Sequence, residues 1–277
     1  MRTIVVTGAG SGIGLEAARQ LAALGDQVVV VGRNPRRLGA AMARIRAAAQ
    51  GPEPGEARAD LESFAEVRRL AEHLLTAYGK IDVLANNAGG MVPHHRRTTD
   101  GFEATLQGNH LGPFLLASLL RERVSRIVTT ASDAHRGGTL DPDDPLGRRS
   151  DGKKWRSWPA YGTAKQANVL FAREAARRWP DVLSVSFHPG VVRSNFGAGT
   201  LTRAFWVLGA PFLKSPVQAG AELARLAIAP AEELTNGAYY VGRKETEPAS
   251  RASDPELAKR LWEASVTAVE TGGEDPR

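Results

Sequence analysis

The chain of 277 residues contains no cysteine. That absence excludes disulfides, thiolate nucleophiles and cysteine-based zinc sites together. There is no long charge-free apolar run, so no membrane-spanning helix is expected. The N-terminus "MRTIVVTGAG" carries a charge but no apolar core of signal-peptide length, and a cytoplasmic location is the simple expectation. No histidine has a carboxylate or second histidine at metal-ligand spacing, so no metal is expected. A run of basic residues interleaved with aromatics is also missing. Lys and Arg number 36 against 30 Asp and Glu, and the signs are mixed along the chain, so the net charge of +6 marks no nucleic-acid footprint. A modest positive field can still attract an anionic small molecule.

What is present is alternation. Short, nearly all-apolar runs such as "TIVVT" and "QVVVVG" are written like buried parallel strands. Segments of helical spacing separate them. The expected order is strand (3–7), helix, strand (27–32), the helix "PRRLGAAMARIRAAA", a turn cluster "GPEPGE", a third strand "ARAD", and a helix ending at Gly79. A fourth strand "IDVLANNAG", a long helix from about Asp100 to Arg123 and a fifth strand "SRIVTTAS" follow. Next come a polar loop over about 133–158, a helix containing Tyr161, a sixth strand "LSVSFHPG", a helix near Pro216–Ala229, a seventh strand "GAYYVG" and a last helix. Repeated βα units imply a parallel sheet with helices on both faces. The expected fold is thus α/β: a Rossmann-type, doubly wound, seven-stranded parallel sheet in a single domain over 1–277, with a tail and helix over about 243–277. Ligands in such sheets bind beyond the carboxyl ends of the strands.

"TGAGSGIG" follows strand one and opens helix one. Gly8 allows a tight turn, Gly12 lets backbone approach a pyrophosphate, and Gly14 permits close helix packing. Ser11 and Ile13 lie between them, and the helix N-terminus aims unpaired N–H groups at the phosphates. A glycine loop in this place points to a dinucleotide. Strand two ends "VVVVGRN", with Gly32 and Arg33 where an acidic residue would select NAD. The planar fork of Arg33 suits a 2′-phosphate, so NADP(H) is expected over NAD(H).

Tyr161 and Lys165 stand four apart, on one helix face. The pair can be chemistry or a solvated helix end. With "TGAGSGIG", "NNAG" (Asn86 to Gly89) and "HPG" (His188 to Gly190), it resembles the short-chain dehydrogenases/reductases. "GNHLGPFLLASLL", "YGTAKQANVLFARE" and "SFHPGVVRS" narrow the resemblance to the retinol-dehydrogenase-like and protochlorophyllide-reductase-like subgroup. The resemblance covers nearly the whole chain and implies hydride transfer between a nicotinamide and a carbonyl/alcohol pair. It implies that Ser132 polarises the carbonyl, Tyr161 moves the proton, Lys165 holds the nicotinamide ribose, and Asn109 completes the catalytic set. Asp60 and Leu61 would lie beside the adenine. Asn87, Ala88 and Gly89 would line the cofactor, and Pro189, Gly190, Val192 and Ser194 would close over its nicotinamide end. Ala131 and Asp133 depart from the subgroup's usual pattern around the serine.

Physical chemistry supports those roles. A free tyrosine has a pKa near 10, and a neighbouring cation lowers it toward a working range. A serine hydroxyl can donate to a developing oxyanion. Pro113 has no N–H, so an α-helix through Asn109 would leave that carbonyl without its partner. The helix is expected to kink at 109–113, and a water there could extend a proton path. The loop 133–158, with Leu140, Trp155 and Trp158, and the segment 195–215, with Phe196, Phe205, Trp206 and Phe212, are expected to cover the substrate. Aromatics make up only 6% of the chain, so their concentration here suits a lipophilic substrate, or equally packing or a homo-oligomer contact. His135, Trp158, Phe196 and Trp206 are the candidate substrate contacts. The alternative function is a non-catalytic NADP(H)-binding sensor or scaffold on the same fold, which would have no need of the Ser–Tyr–Lys–Asn set.

Overall fold

A computed structural model describes residues 1–148, 152–192 and 213–272 of the chain. The strands are β1 (Thr3–Thr7), β2 (Gln27–Gly32), β3 (Gly55–Arg58), β4 (Ile81–Asn86), β5 (Val124–Thr130), β6 (Leu183–His188), β7 (Tyr239–Val241) and β8 (Lys244–Glu245). They form one sheet in the order β3-β2-β1-β4-β5-β6-β7-β8. The first seven pair in parallel, and β8 folds back antiparallel on β7. Among the described residues the sheet thus has eight strands rather than the expected seven. The extra one is two residues long, too short to leave a periodic signal. β3 also begins two residues earlier than expected, inside the Gly/Pro cluster, because its register is set by pairing Val29 with Gly55. A side chain at Gly55 would meet the Tyr78 hydroxyl at 2.4 Å.

Side-chain alternation divides the core into two layers. Ile4, Val6, Val28 and Val30 face one side, where α1 (Gly12–Ala23), α2 (Pro35–Ala48) and α7 (Pro216–Ile228) cover them. Val5, Val29 and Val31 face the other, under α3 (Phe64–Ala77), α5 (Gly112–Leu119), α6 (Ser157–Arg178) and α9 (Pro255–Thr271). Helix starts are written locally. Asn34 caps α2 by accepting the Arg37 N–H, and Pro35 opens it. Ser215 and Gln218 form a reciprocal capping box on α7. Asp254 caps α9, which follows the short helix α8 (Ser250–Ser253). Among the described residues no helix is long and apolar enough to cross a membrane.

The helix expected over 100–123 is shorter and interrupted. It comprises α4 (Ala104–Leu106), a π-helical turn (Gln107–Leu111) and α5. The Gly112 N–H reaches back five residues to the Gln107 carbonyl. The α ladder is therefore interrupted beside Pro113 by a widened turn. Gly112 presses this turn against the chain leaving β3: a methyl group there would lie 2.1 Å from the Leu61 carbonyl oxygen. Backbone cannot yield by that much, so Gly112→Ala should cost about 2 kcal/mol or more despite alanine's better helix propensity. Denaturant unfolding that finds the variant as stable as the wild type would contradict this close approach.

Candidate active site

Every predicted motif that the structure describes lies at the carboxyl edge of the sheet. The centre is Thr7, the last residue of β1. Its buried hydroxyl donates to the Ala85 carbonyl at 3.1 Å and accepts the N–H groups of Asn87 and Ala88, both at 3.0 Å. The Asn87 side chain donates to the Thr7 carbonyl at 2.9 Å and accepts from the Thr130 hydroxyl at 3.3 Å. The exits of β1, β4 and β5 are thereby tied together. Gly14 sits beneath this knot, where a methyl group would meet Asn87 Nδ2 at 2.6 Å. Gly8 has φ +69° and Gly12 φ +59°, and nothing lies within 4 Å of the Cβ position of Gly12. That open side of a positive-φ glycine is a cradle a larger residue would fill, as backbone contact with a pyrophosphate requires.

A cleft of about 280 Å³ runs from this loop between β2, β3 and the π turn. Of the expected cofactor residues, Gly8, Ser11, Arg33, Asp60, Leu61, Ala88 and Gly89 line it, together with Asn109. Gly12, Ile13, Gly14 and Asn87 shape the loop without lining the cleft. Arg37 and Glu62, neither of which the motifs single out, line it too. Arg37 is exposed, yet its Cβ stands 3.5 Å from the Cβ position of Gly10, a contact that follows from the tight packing of α2 on the loop. Arg33 is not a bare cation. It pairs with Asp60 at 3.5 Å and Glu62 at 3.2 Å. Pro189, Gly190 and Val192 follow the sixth strand and do not line this cleft; Val192 is bridged to Lys214. Ser194, Phe196, Phe205, Trp206 and Phe212 lie outside the described residues.

The structure brings Asn109, Ser132, Tyr161 and Lys165 together. Tyr161 and Lys165 are buried on one face of α6, with the ammonium 5.5 Å from the tyrosine ring centroid. The Lys165 ammonium donates to the Thr130 carbonyl at 2.8 Å. A Cβ at Gly89 would stand 2.4 Å from Asn109 Oδ1 and 3.5 Å from Lys165 Nζ, so all three residues meet. Asn109 clamps the chain after "NNAG" in both directions: its Oδ1 accepts the Gly90 N–H at 3.1 Å and its Nδ2 donates to the Gly90 carbonyl at 2.9 Å. Nδ2 also donates to the Thr105 carbonyl at 2.8 Å, inside the distorted helix. Burial pushes the Tyr161 hydroxyl up to about 12, opposed by a hydrogen bond from Ser132. Burial pulls the Lys165 ammonium down to about 7. The buried pair therefore leans toward its uncharged forms.

His135 is a correction to the sequence analysis, which aims it at the substrate. It is buried, its Nδ1 donates to the Ser132 carbonyl at 2.7 Å, and its Nε2 accepts the Ala249 N–H at 3.0 Å. Both ring nitrogens are thus used inside the protein, and the ring packs edge-on against Tyr239. Leu140, expected over the site, is likewise buried in the core. Trp158 is different: it is 59% exposed and its ring stands 6.0 Å from that of Tyr161.

Comparison with known proteins agrees with this geometry. The family model for short chain dehydrogenases matches residues 2–140. A Streptomyces sp. (strain C5) protein, provisionally named daunorubicin C-13 ketoreductase DnrU, is 49% identical over 270 residues, covering 97% of this chain and 92% of that protein. Human retinol dehydrogenase 13 is 36% identical over 288 residues, 97% of this chain and 84% of its own. The crystal structure of an uncharacterized protein from Mycobacterium paratuberculosis superposes with a TM-score of 0.78 at 29% identity, over 98% of this chain and 94% of that one. With a family match over half its length and full-length relatives well above 30% identity, the chain belongs to the short-chain dehydrogenases, as an oxidoreductase of their retinol-dehydrogenase-like subgroup.

Proposed function

We propose that the protein reduces a lipophilic ketone or aldehyde, or oxidises the matching alcohol, using NADP(H), with Tyr161 as general acid and base. The observation that carries this reading is the cluster of half-buried Ser132 with buried Tyr161 and Lys165 beside the cleft. The names of the two relatives, a ketoreductase and a retinol dehydrogenase, support a carbonyl/alcohol pair. A sensor or scaffold would have no use for a serine bonded to a tyrosine at that place.

The glycine loop, Asp60, Leu61 and Gly89 would hold the cofactor, with Arg33 at its adenosine end. Bound there, the nicotinamide supplies or takes the hydride. The residues of the chain manage the proton. Burial keeps the Tyr161 hydroxyl protonated and able to donate to a developing alkoxide. Ser132, whose one hydroxyl proton is given to Tyr161 in this structure, would turn it to the same substrate oxygen as the reaction proceeds. The phenolate left behind is stabilised by a proton on Lys165, 5.5 Å from the ring centroid. A lysine pulled to about 7 can take up or release that proton near neutrality. Asn109 fixes Gly90 and so the wall facing Lys165. Trp158 forms an exposed apolar wall near Tyr161, in keeping with a lipophilic substrate.

Three outcomes are expected. Tyr161→Phe should bind NADPH like the wild type while kcat falls by about 10²–10⁴, the usual worth of a general acid. Full turnover in that variant, followed by NADPH absorbance with an aromatic ketone, would refute the role of Tyr161. Arg33→Ala should weaken NADPH binding about tenfold, a lost charge-assisted pair, and change NADH binding little. Tighter binding of NADH than NADPH by the wild type would overturn the cofactor assignment.

The third concerns Lys165 and stability. Below pH about 7 it is charged in the folded and the unfolded chain, and folding carries the full cost of burying the charge. From there up to its ordinary value of 10.5 the unfolded chain binds more protons than the folded one, so stability rises with pH across that window. Lys165→Met removes the dependence. The melting temperature of the cofactor-free wild type, relative to the variant, should rise between pH 7 and 10. Parallel melting curves would mean that Lys165 stays charged in the fold.

A further inference from the structure

We propose that Glu62 sets how strongly the cleft discriminates NADPH from NADH, by holding Arg33 and Arg96 in ion pairs that a 2′-phosphate must share. This rests on the proposed use of NADP(H).

Glu62 is the residue after Asp60 and Leu61, at the mouth of the adenosine end of the cleft. Its backbone is fixed, because its N–H donates to Asp60 Oδ1 at 3.1 Å. Its side chain is fixed too. A Cβ at Gly108, in the π turn, would sit 3.0 Å from Glu62 Cγ, so the methylenes pack on that turn. The carboxylate then takes one arginine from each rim. Oε1 accepts from Arg33 Nη1 at 3.2 Å, from the exit of β2. Oε2 accepts from Arg96, in the chain that follows β4.

The three partners differ in freedom. The side chain of Glu62 is 15% exposed, against 63% for Arg33 and 49% for Arg96. The carboxylate is the anchored member and the guanidiniums are the adjustable ones. Asp60 adds a second acceptor for Arg33 at 3.5 Å. Among the charged residues lining the cleft, Arg33 and Arg37 are balanced by Asp60 and Glu62, so their sum is zero. A dianionic phosphate entering here meets Arg33 already paired and an anchored carboxylate nearby. A ribose hydroxyl carries no charge and is almost indifferent to either. Glu62 therefore opposes the preference that Arg33 creates. The sequence carries both halves, "GRN" at 32–34 and "DLES" at 60–63, but only the fold brings them together.

The test is titration of the purified full-length protein with NADPH and with NADH, followed by cofactor fluorescence, for the wild type and three variants. Glu62→Gln keeps the shape and removes the charge. It should tighten NADPH roughly three- to tenfold and leave NADH within about twofold, and the gain should shrink as salt is raised because the pairs are solvent-exposed. Arg96→Ala leaves Glu62 to Arg33 alone and should lower the NADPH preference. An unchanged or reduced NADPH preference in Glu62→Gln overturns the proposal, and Glu62→Ser repeats the test should the glutamine variant fold poorly. Arg33→Ala separates the two failures. A fall in NADPH preference there, with Glu62→Gln inert, sinks only the role of Glu62. Indifference to Arg33→Ala sinks the cofactor reading and the role of Glu62 with it.

Discussion

The site depends on one buried hydroxyl. Thr7 Oγ1 makes three hydrogen bonds, to the Ala85 carbonyl and from the Asn87 and Ala88 N–H groups, and it does so at 0% exposure. The ladder sets the register of neighbouring strands, but it does not hold the loops that leave their ends. Thr7 and Asn87 supply that hold. From Asn87 the chain of bonds continues to Thr130, whose carbonyl accepts both the Lys165 ammonium and the Asn168 amide. The glycine loop and the proposed proton-handling pair are thus joined by hydrogen bonds through three adjacent strand ends. Bonds of this kind contribute only about 1 kcal/mol each to stability. Their greater effect is on position, because a buried network with every member satisfied has few alternatives.

The electrostatics of the pair follow from the same burial. Taking Tyr161 and Lys165 out of water pushes the phenol up to about 12 and the ammonium down to about 7. Both shifts disfavour charge. In the proposed reaction the two exchange roles: a proton lost from the tyrosine is compensated by one retained on the lysine. The Ser132 hydroxyl biases that exchange toward the phenolate, and His135 holds the Ser132 carbonyl from behind.

Much of this was legible in the sequence, for identifiable reasons. Valine-rich strands are buried on both faces, so β1 and β2 read as uninterrupted apolar runs. Gly8 is fixed by a positive φ and Gly14 by the lack of room for a Cβ, and such positions survive in the sequence as spacing. Pro113 announced the broken helix because a missing N–H is a local fact, whereas the π turn and its close approach to the Leu61 carbonyl at Gly112 are features of the fold. What was not legible is what depends on direction. His135 stands three residues after Ser132 and looked like a substrate contact. The 3-10 turn over Asp133–Gly137 turns its ring inward to Ala249 instead. Thr7 looked like one more strand residue. Glu62 gave no signal at all, since its partners are 29 and 34 residues away in the chain.

That last case bears on how a cofactor preference is encoded. A positive residue at the end of β2 is commonly taken as a sufficient sign, yet a cation's field is set by its neighbours as much as by its own charge. Arg33 lies 63% exposed between two carboxylates, so it offers less to an incoming phosphate than a lone guanidinium would. Among the described residues no carboxylate pairs with the helix-side arginine, Arg37, whose backbone N–H caps α2 on Asn34. With NADP(H) as the proposed cofactor, selection for its phosphate is a balance across the rim of the cleft, and the proposed role of Glu62 places residue 62 in that balance beside residue 33.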